Sequence, residues 1–211
     1  MIFRFQNPVA RAMFILACVV FFILFPGCSA RSPEELLSRH GVPPAGDDLI
    51  TVCVSYACRH IQTVVFDGRD LEMVAREMSP KPEDSPEQER ERISRTIGLM
   101  ERIIGPRAGT DKSTGRNRSG PPGTRQLDCI ADSVNTTAYL LLLSRENLVF
   151  FHQVAAPARR GPLTLNLWHN TAVIRETDTG LLFAVDPWFN DNGNPAAIIP
   201  LDKWLAGYSP D

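Results

Sequence analysis

The sequence predicts one domain of the α+β class, in which a core helix packs on an antiparallel sheet. Three observations lead to this prediction. They are a capped helical pattern over residues 85–104, an apolar helical pattern over 129–144, and successive strand patterns between 148 and 189.

Residues 1–27 have the pattern of a secretory signal peptide. Arg4 and Arg11 give a positive start, no acid is present, and an apolar run extends over residues 13–25. At about 13 residues, this run is short against the roughly 20 that a spanning helix needs.

Cys28 follows Gly27 directly, and the stretch LFPGC resembles the lipobox of bacterial lipoproteins. We therefore expect Cys28 to receive lipid and to become the mature N-terminus. Ser29 then favours a lipid-anchored protein of the bacterial cell envelope, at the outer membrane and facing the periplasm. The alternatives are cleavage by ordinary signal peptidase and an uncleaved anchor.

Charge argues against a nucleic-acid partner. The 211-residue chain has 22 basic and 24 acidic residues, a net charge of −2, and removal of Arg4 and Arg11 with the signal lowers it to −4. A mildly acidic domain is a poor nucleic-acid binder. The remaining residues, 28–211, suit one domain, and membrane attachment is left to the lipid.

Three elements are predicted before residue 80. A short helix over 32–41 has Ser32 as its N-cap and Pro33 at its first position. Residues 49–66 are rich in Val, Ile and Thr and predict one strand or two. Residues 68–78 carry apolar side chains at helical spacing.

Cys53 and Cys58 lie close together in the strand-rich segment and are candidates for a disulfide. An exported protein meets an oxidising environment, in which nearby thiols pair. Zinc would need a second Cys/His pair with ligand spacing, which the sequence lacks, so no metal is expected. Two buried free thiols are the remaining alternative. Cys129 has no obvious partner in either case.

The long helix has clear start and stop signals. Ser85 and Gln88 form a capping box around Pro86, and Gly105-Pro106 is expected to end the helix. The apolar side chains form one face, and the charged face is expected to be solvated. The apolar face consists of Ile93, Ile97, Met100 and Ile104.

Residues 105–125 are rich in Gly, Pro and basic side chains and predict a flexible loop. This loop ends three residues before Cys129, so it is either a substrate-binding cover or a disordered insertion.

The second half of the chain supplies the sheet. Asp128 caps a helix over 129–144, and strands are expected at 148–154, 163–176 and 181–189. The last two strands form a hairpin around a turn near Asp178–Gly180. Residues 198–207 predict a short strand or a helical turn.

The hairpin brings a histidine and an acid together. His169 would face about residue 188, so Asp186 is a near or diagonal neighbour at roughly 5–8 Å. With Cys129 at a helix start, the sequence supplies a nucleophile, a base and an orienting acid. His152 is the competing candidate for the base, although its motif is not followed by a strand that carries a carboxylate.

A helix N-terminus and an adjacent imidazolium can lower the pKa of a thiol from about 8.5. As a nucleophile, Cys129 is expected to be a reactive thiolate, and the alternative is an inert thiol in the core. Backbone N–H groups at the helix start are expected to form an oxyanion hole, with the Gln126 side chain as a further donor.

The motifs DCIADSVNTTAYLLLL, WHNTAVI and FAVDPWF resemble the transglutaminase-like superfamily, most closely its bacterial cysteine peptidases. The resemblance covers about residues 126–189. It implies a papain/transglutaminase-like core with Cys129 as nucleophile, His169 as base and Asp186 as orienting acid. Asn170 stands where an Ala-Trp pair commonly follows the His.

The function expected on these grounds is a cysteine hydrolase or acyltransferase. Its substrates would be amides of peptides, proteins or peptidoglycan stems, and no cofactor is implied. The alternative is a non-catalytic envelope lipoprotein that uses the same fold for binding or scaffolding.

Overall fold

The structure is a computed structural model that describes residues 32–80, 84–118, 120, 123–161 and 168–210. The expected signal peptide of residues 1–27 and the lipid site at Cys28 lie outside the described residues. Within the described part of the chain, no helix is both long enough and apolar enough to cross a membrane.

The first elements follow the sequence pattern. Helix α1 (Pro33–Arg39) begins after Ser32, whose hydroxyl accepts a hydrogen bond from the Glu35 amide at 3.1 Å. Residues 49–66 form two strands, β1 (Leu49–Cys53) and β2 (Ile61–Val65), which pair antiparallel.

The predicted disulfide between Cys53 and Cys58 closes the turn between these two strands. Asn135 holds this turn in place, because its side-chain oxygen accepts from the Cys53 amide at 2.7 Å and its NH₂ group donates to the Cys53 carbonyl. The disulfide-closed turn is thereby attached to the helix that begins at Cys129.

Helix α2 (Gly68–Met78) is followed by the long helix α3 (Pro86–Ala108), which has the predicted capping box at Ser85. The predicted stop at Gly105-Pro106 is wrong, because α3 continues to a left-handed cap at Gly109. Pro106 costs only one backbone hydrogen bond so near the helix end. Burial of Ile104 and Ala108 in the last turns offsets that loss.

The apolar face of α3 is buried as predicted, but its charged side chains are not all solvated. Glu89, Arg92 and Glu101 are buried, so the expectation of a solvated face is wrong for these three. Each has polar partners: Arg92, for example, pairs with Asp84 at 2.6 Å. Helix periodicity identifies the apolar stripe but not the elements that cover the other sides of the helix.

The second half forms a four-stranded antiparallel sheet in the order β3-β4-β5-β6. The predicted hairpin is confirmed, with Ala172 opposite Val185. The first strand begins at His152 rather than at residue 148, and residues 163–167 of the predicted second strand lie outside the described residues. The elements are β3 (His152–Arg160), β4 (His169–Glu176), β5 (Leu182–Asp186), β6 (Ala197–Pro200) and the terminal helix α5 (Leu201–Leu205).

Helix α4 (Cys129–Arg145) lies between the sheet and the N-terminal elements. One side packs against β3, β4 and β5, and the other contacts α1, β1 and the disulfide-closed turn. A helix that is apolar nearly all round is buried in this way. The α+β class, with a core helix packed on an antiparallel sheet, is therefore confirmed.

Segment 190–196, which follows the end of β5, packs closely against α3. A Cβ atom at Gly98 would lie 2.6 Å from the Asn194 carbonyl oxygen. The segment is also joined to α3 by a hydrogen bond from the Ser94 hydroxyl to the Ala196 carbonyl at 2.7 Å. Helix α3 thus fixes the chain that leaves β5.

Replacement of Gly98 by Ala should lower the free energy of unfolding by about 2 kcal/mol, because the new methyl group collides with backbone. The same change at Gly68 of α2, where nothing lies within 4 Å of the added atom, should raise it by about 0.5 kcal/mol. Urea denaturation measures both variants. Equal effects at the two sites would contradict the close approach at Gly98.

Candidate active site

Cys129 is the first residue of α4, and Asp128 caps the helix. The Asp128 carboxylate accepts from the amides of Ala131 at 3.0 Å and Ala57 at 2.9 Å, and its carbonyl accepts from Asp132. Cys129 and Ile130 are the first two residues of the helix, so their amides have no acceptor within it. A helix start leaves such donors available to an anionic group.

His169 and Asp186 come together at one end of the sheet. His169 begins β4, Asp186 ends β5, and the imidazole Nε2–H donates to Asp186 Oδ2 at 2.6 Å. This hydrogen bond fixes the tautomer, so Nδ1 is the nitrogen that can accept a proton. The predicted His–Asp pair is therefore present in the structure.

Aromatic rings enclose the imidazole of His169. Ring centroids lie 4.5 Å away for Trp188, 5.5 Å for Phe189 and 5.4 Å for Trp204. The Trp204 indole N–H also donates to Asp186 Oδ2, at 2.8 Å. The sequence analysis did not predict this contact of Trp204, because no local pattern connects α5 with the end of β5.

Asn170, the residue that follows His169, contacts the Cys129 thiol. Its side-chain NH₂ donates to Cys129 Sγ at 3.8 Å. Cys129 and His169 line the same pocket, which has a volume of about 350 Å³. The structure therefore brings Cys129, His169 and Asp186 together, as the sequence predicted.

The expected lowering of the thiol pKa is contradicted. Burial, together with the negative charges of Asp128 and Asp186, raises the pKa of Cys129 from 9.0 to about 11. The hydrogen bonds from Asn170 act in the opposite direction but are outweighed. Cys129 is accordingly a neutral thiol at pH 7, and its nucleophilic use requires a base.

Gln126 does not contribute to this pocket. Its side-chain NH₂ donates to the Lys112 carbonyl at 2.9 Å, and its oxygen accepts from the Thr114 amide at 3.0 Å and from Asn117. The expected oxyanion donor instead stabilises its own loop. The backbone amides of Cys129 and Ile130 are the donors that lie nearest to the thiol in the sequence.

The loop before α4 starts at Gly109, because residues 105–108 are helical, and its middle forms one wall of the pocket. The Arg116 amide donates to the Trp188 carbonyl at 2.6 Å, and the Trp188 indole donates to the Asn117 carbonyl at 2.9 Å. Arg116 holds a left-handed conformation there, with φ at 56°. Residues 116–118 therefore line the pocket and are held there by hydrogen bonds to Trp188.

His152 is not part of the site. It pairs with Glu176 at the start of β3, whereas Arg160 at the other end of that strand pairs with His169. Its imidazole Nδ1 lies 2.9 Å from the buried carboxylate of Glu89. The competing base is thus a buried structural residue at the far end of the strand.

Within the described part of the chain, no group of three or more His, Cys, Asp or Glu side chains could hold a metal ion. No protein-family model, curated protein or solved structure matches the chain. The chemistry of the pocket is therefore inferred from its own residues.

Proposed function

We propose that this protein is a cysteine hydrolase or acyltransferase that acts on amides of peptides, proteins or peptidoglycan stems. One observation carries the proposal: the single free thiol of the described residues shares a pocket with a histidine bound to a buried carboxylate. This is the arrangement that thiol acyl transfer requires. The sequence resemblance to the transglutaminase-like superfamily supports the same chemistry.

In the first half of the reaction, His169 Nδ1 takes the proton of Cys129 as Sγ attacks the amide carbonyl carbon. The amides of Cys129 and Ile130 donate to the oxygen that becomes negative. The C–N bond then breaks, His169 returns the proton to the leaving amine, and a thioester remains on Cys129. Water or an amine resolves the thioester by the same proton transfers in reverse.

Asp186 supports each proton transfer. Its carboxylate keeps the Nε2–H in place and balances the imidazolium that forms. Because burial keeps Cys129 protonated at neutral pH, proton removal by His169 accompanies the attack rather than preceding it.

We also propose that the protein is an exported lipoprotein, anchored through Cys28 and facing the periplasm. The signal-like residues 1–27 support this location, and so does the Cys53–Cys58 disulfide, since disulfides persist in oxidising compartments. The partners of such a protein would be a membrane, through the lipid, and peptide-containing envelope material.

The second candidate is a binding or scaffolding lipoprotein without catalysis. The raised pKa of Cys129 favours it, since an inert buried thiol has this property. The two candidates differ in whether a covalent acyl group ever forms on Cys129.

Acyl-enzyme trapping separates the candidates. The protein is mixed with 4-nitrophenyl esters of acetylated amino acids and quenched in acid, and the mass of the Cys129 peptide is measured. Catalysis predicts an acyl adduct on Cys129 that is absent from Cys129→Ser and strongly slowed in His169→Ala. His60→Ala, an exposed histidine outside the pocket, is the matched control. Equal acylation of the His169 and His60 variants, or no adduct at all, would support the binding role.

A further inference from the structure

The pocket at Cys129 concentrates positive charge on a chain that is acidic overall. Arg116, Arg118 and Arg160 line it, although the chain has a net charge of −2. Within the described residues, no carboxylate lies within 4.0 Å of any of these three guanidinium groups. Within the described part of the chain, these positive charges therefore have no directly paired carboxylate.

Arg160 is the best-defined of the three. It is 9% exposed, and it donates to the carbonyl oxygens of Trp204 and Tyr208 while its Nε has no hydrogen-bond partner. A buried guanidinium without a carboxylate is costly to fold. Its position opposite His169 in the sheet gives it access to whatever occupies the pocket.

Arg116 and Arg118 approach from the covering loop. Their guanidinium carbons lie 5.6 Å from the Phe189 ring centroid and 5.7 Å from that of Trp188. The loop is fixed on its other side by a hydrogen bond from the Tyr56 hydroxyl to the Arg118 carbonyl at 2.9 Å. Both arginines are thus carried by backbone that is anchored beside the thiol.

Among the described residues, Asp128 is the one carboxylate that lines the pocket, and its Oδ1 accepts two backbone hydrogen bonds. As the helix cap it accepts from the amides of Ala57 and Ala131. Three guanidinium groups outnumber two carboxylates, that of Asp128 and that of Asp186, whose charge acts on Arg160. The pocket therefore keeps an excess of positive charge, and such a cleft raises the local concentration of anions.

We infer that the pocket selects peptides with a carboxylate next to the amide that is attacked. Guanidinium groups bind carboxylates through paired, charge-assisted hydrogen bonds. The carboxylate can be a peptide C-terminus or an Asp or Glu side chain. The choice of peptide as ligand rests on the proposed function, whereas the preference for an anion at Cys129 rests on the pocket alone.

Two alkylating reagents of nearly equal size test the preference for anions. Iodoacetate and iodoacetamide both transfer a carboxymethyl-type group to sulfur and release iodide, but only iodoacetate is charged. The rate of Cys129 alkylation by iodoacetate is divided by the rate with iodoacetamide, and the result is normalised by the same ratio for N-acetylcysteine. This normalised ratio should be about 10 in the wild-type protein.

The double variant Arg116→Gln/Arg118→Gln should bring this normalised ratio close to one. Arg69→Gln, which removes an exposed positive charge outside the pocket, should leave it near the wild-type value. A wild-type ratio of one or less, or a ratio that the double variant does not change, would overturn the inference. Both arginines are exposed, so the double variant is expected to fold.

Peptide protection then distinguishes the two sources of carboxylate. Three peptides are each tested for their ability to slow the alkylation of Cys129 by iodoacetamide. They are acetyl-tetraalanine with a free C-terminus, the same peptide as its C-terminal amide, and that amide with one Ala replaced by Glu. Protection by the free C-terminus or by the Glu peptide, but not by the neutral amide, identifies the source. Equal behaviour of all three peptides would contradict the inference.

The reagent ratio and the acyl-enzyme experiment can fail separately. A high normalised ratio without acylation would support the anion site and contradict the proposed enzymatic activity. Acylation without charge selectivity would support the enzymatic activity and contradict the anion site.

Discussion

Replacing Asp186 by Ala should lower the free energy of unfolding by about 4 kcal/mol. Asp186 is 1% exposed, and one of its oxygens accepts from both His169 Nε2 at 2.6 Å and Trp204 Nε1 at 2.8 Å. Without the carboxylate, two buried donors lose their acceptor, and each costs about 1–3 kcal/mol. Urea denaturation at pH 7 measures the loss, which is large against a typical total of about 5–15 kcal/mol.

The matched control is Asp186→Asn, which keeps an oxygen that can accept from both donors. It should cost less than half as much stability as Asp186→Ala. Both variants should slow acyl-enzyme formation, because the imidazolium of His169 loses its counter-ion in each. Equal stability losses in the two variants would show that Asp186 is not the shared acceptor.

Replacing Glu101 by Gln should change how stability depends on pH. Burial raises the pKa of Glu101 from 4.5 to about 7, against the opposing effects of the Gly193 amide and Arg102. The folded protein therefore holds a proton that the unfolded chain has already released. The contribution of Glu101 to the free energy of unfolding should be fully present below about pH 4.5. It should be lost as the pH rises through 7.

The loss between these limits amounts to about 3 kcal/mol, since each unit of pKa is worth about 1.4 kcal/mol. Glu101→Gln should be close to the wild type in stability at pH 4.5 and more stable by about 3 kcal/mol at pH 8. The Gln oxygen can still accept from the Gly193 amide, which donates to Glu101 at 2.7 Å.

Glu91→Gln is the control for net charge, because Glu91 lies on the exposed face of the same helix. Guanidinium denaturation across pH 4.5–8 gives the curves for all three proteins. A constant difference between wild type and Glu101→Gln over this range would mean that Glu101 is not protonated on folding.

The sequence predicted the His–Asp pair because the pair depends on local information. Alternating apolar residues around a Gly-containing turn set the register of β4 and β5, and that register places His169 beside Asp186. Capping residues gave the starts of the helices in the same way.

The features that were missed depend on contacts between distant parts of the chain. Trp204 reaches Asp186 because α5 packs on β5, and segment 190–196 contributes the Gly193 amide that donates to the buried Glu101. The raised pKa of Cys129 has the same origin, since the depth of burial cannot be read from one helix. Arg116 and Arg118 were visible only as part of a basic, glycine-containing loop.

The packing of segment 190–196 on α3 also sets the order in which the site can be assembled. The Glu101–Gly193 and Ser94–Ala196 hydrogen bonds connect residues 92 and 102 positions apart. A chain that leaves the ribosome N-terminus first exposes Gly98 and Glu101 long before their partners are synthesised, and contacts this distant in sequence form slowly. The site is therefore completed late, when the last elements of the chain close over α3.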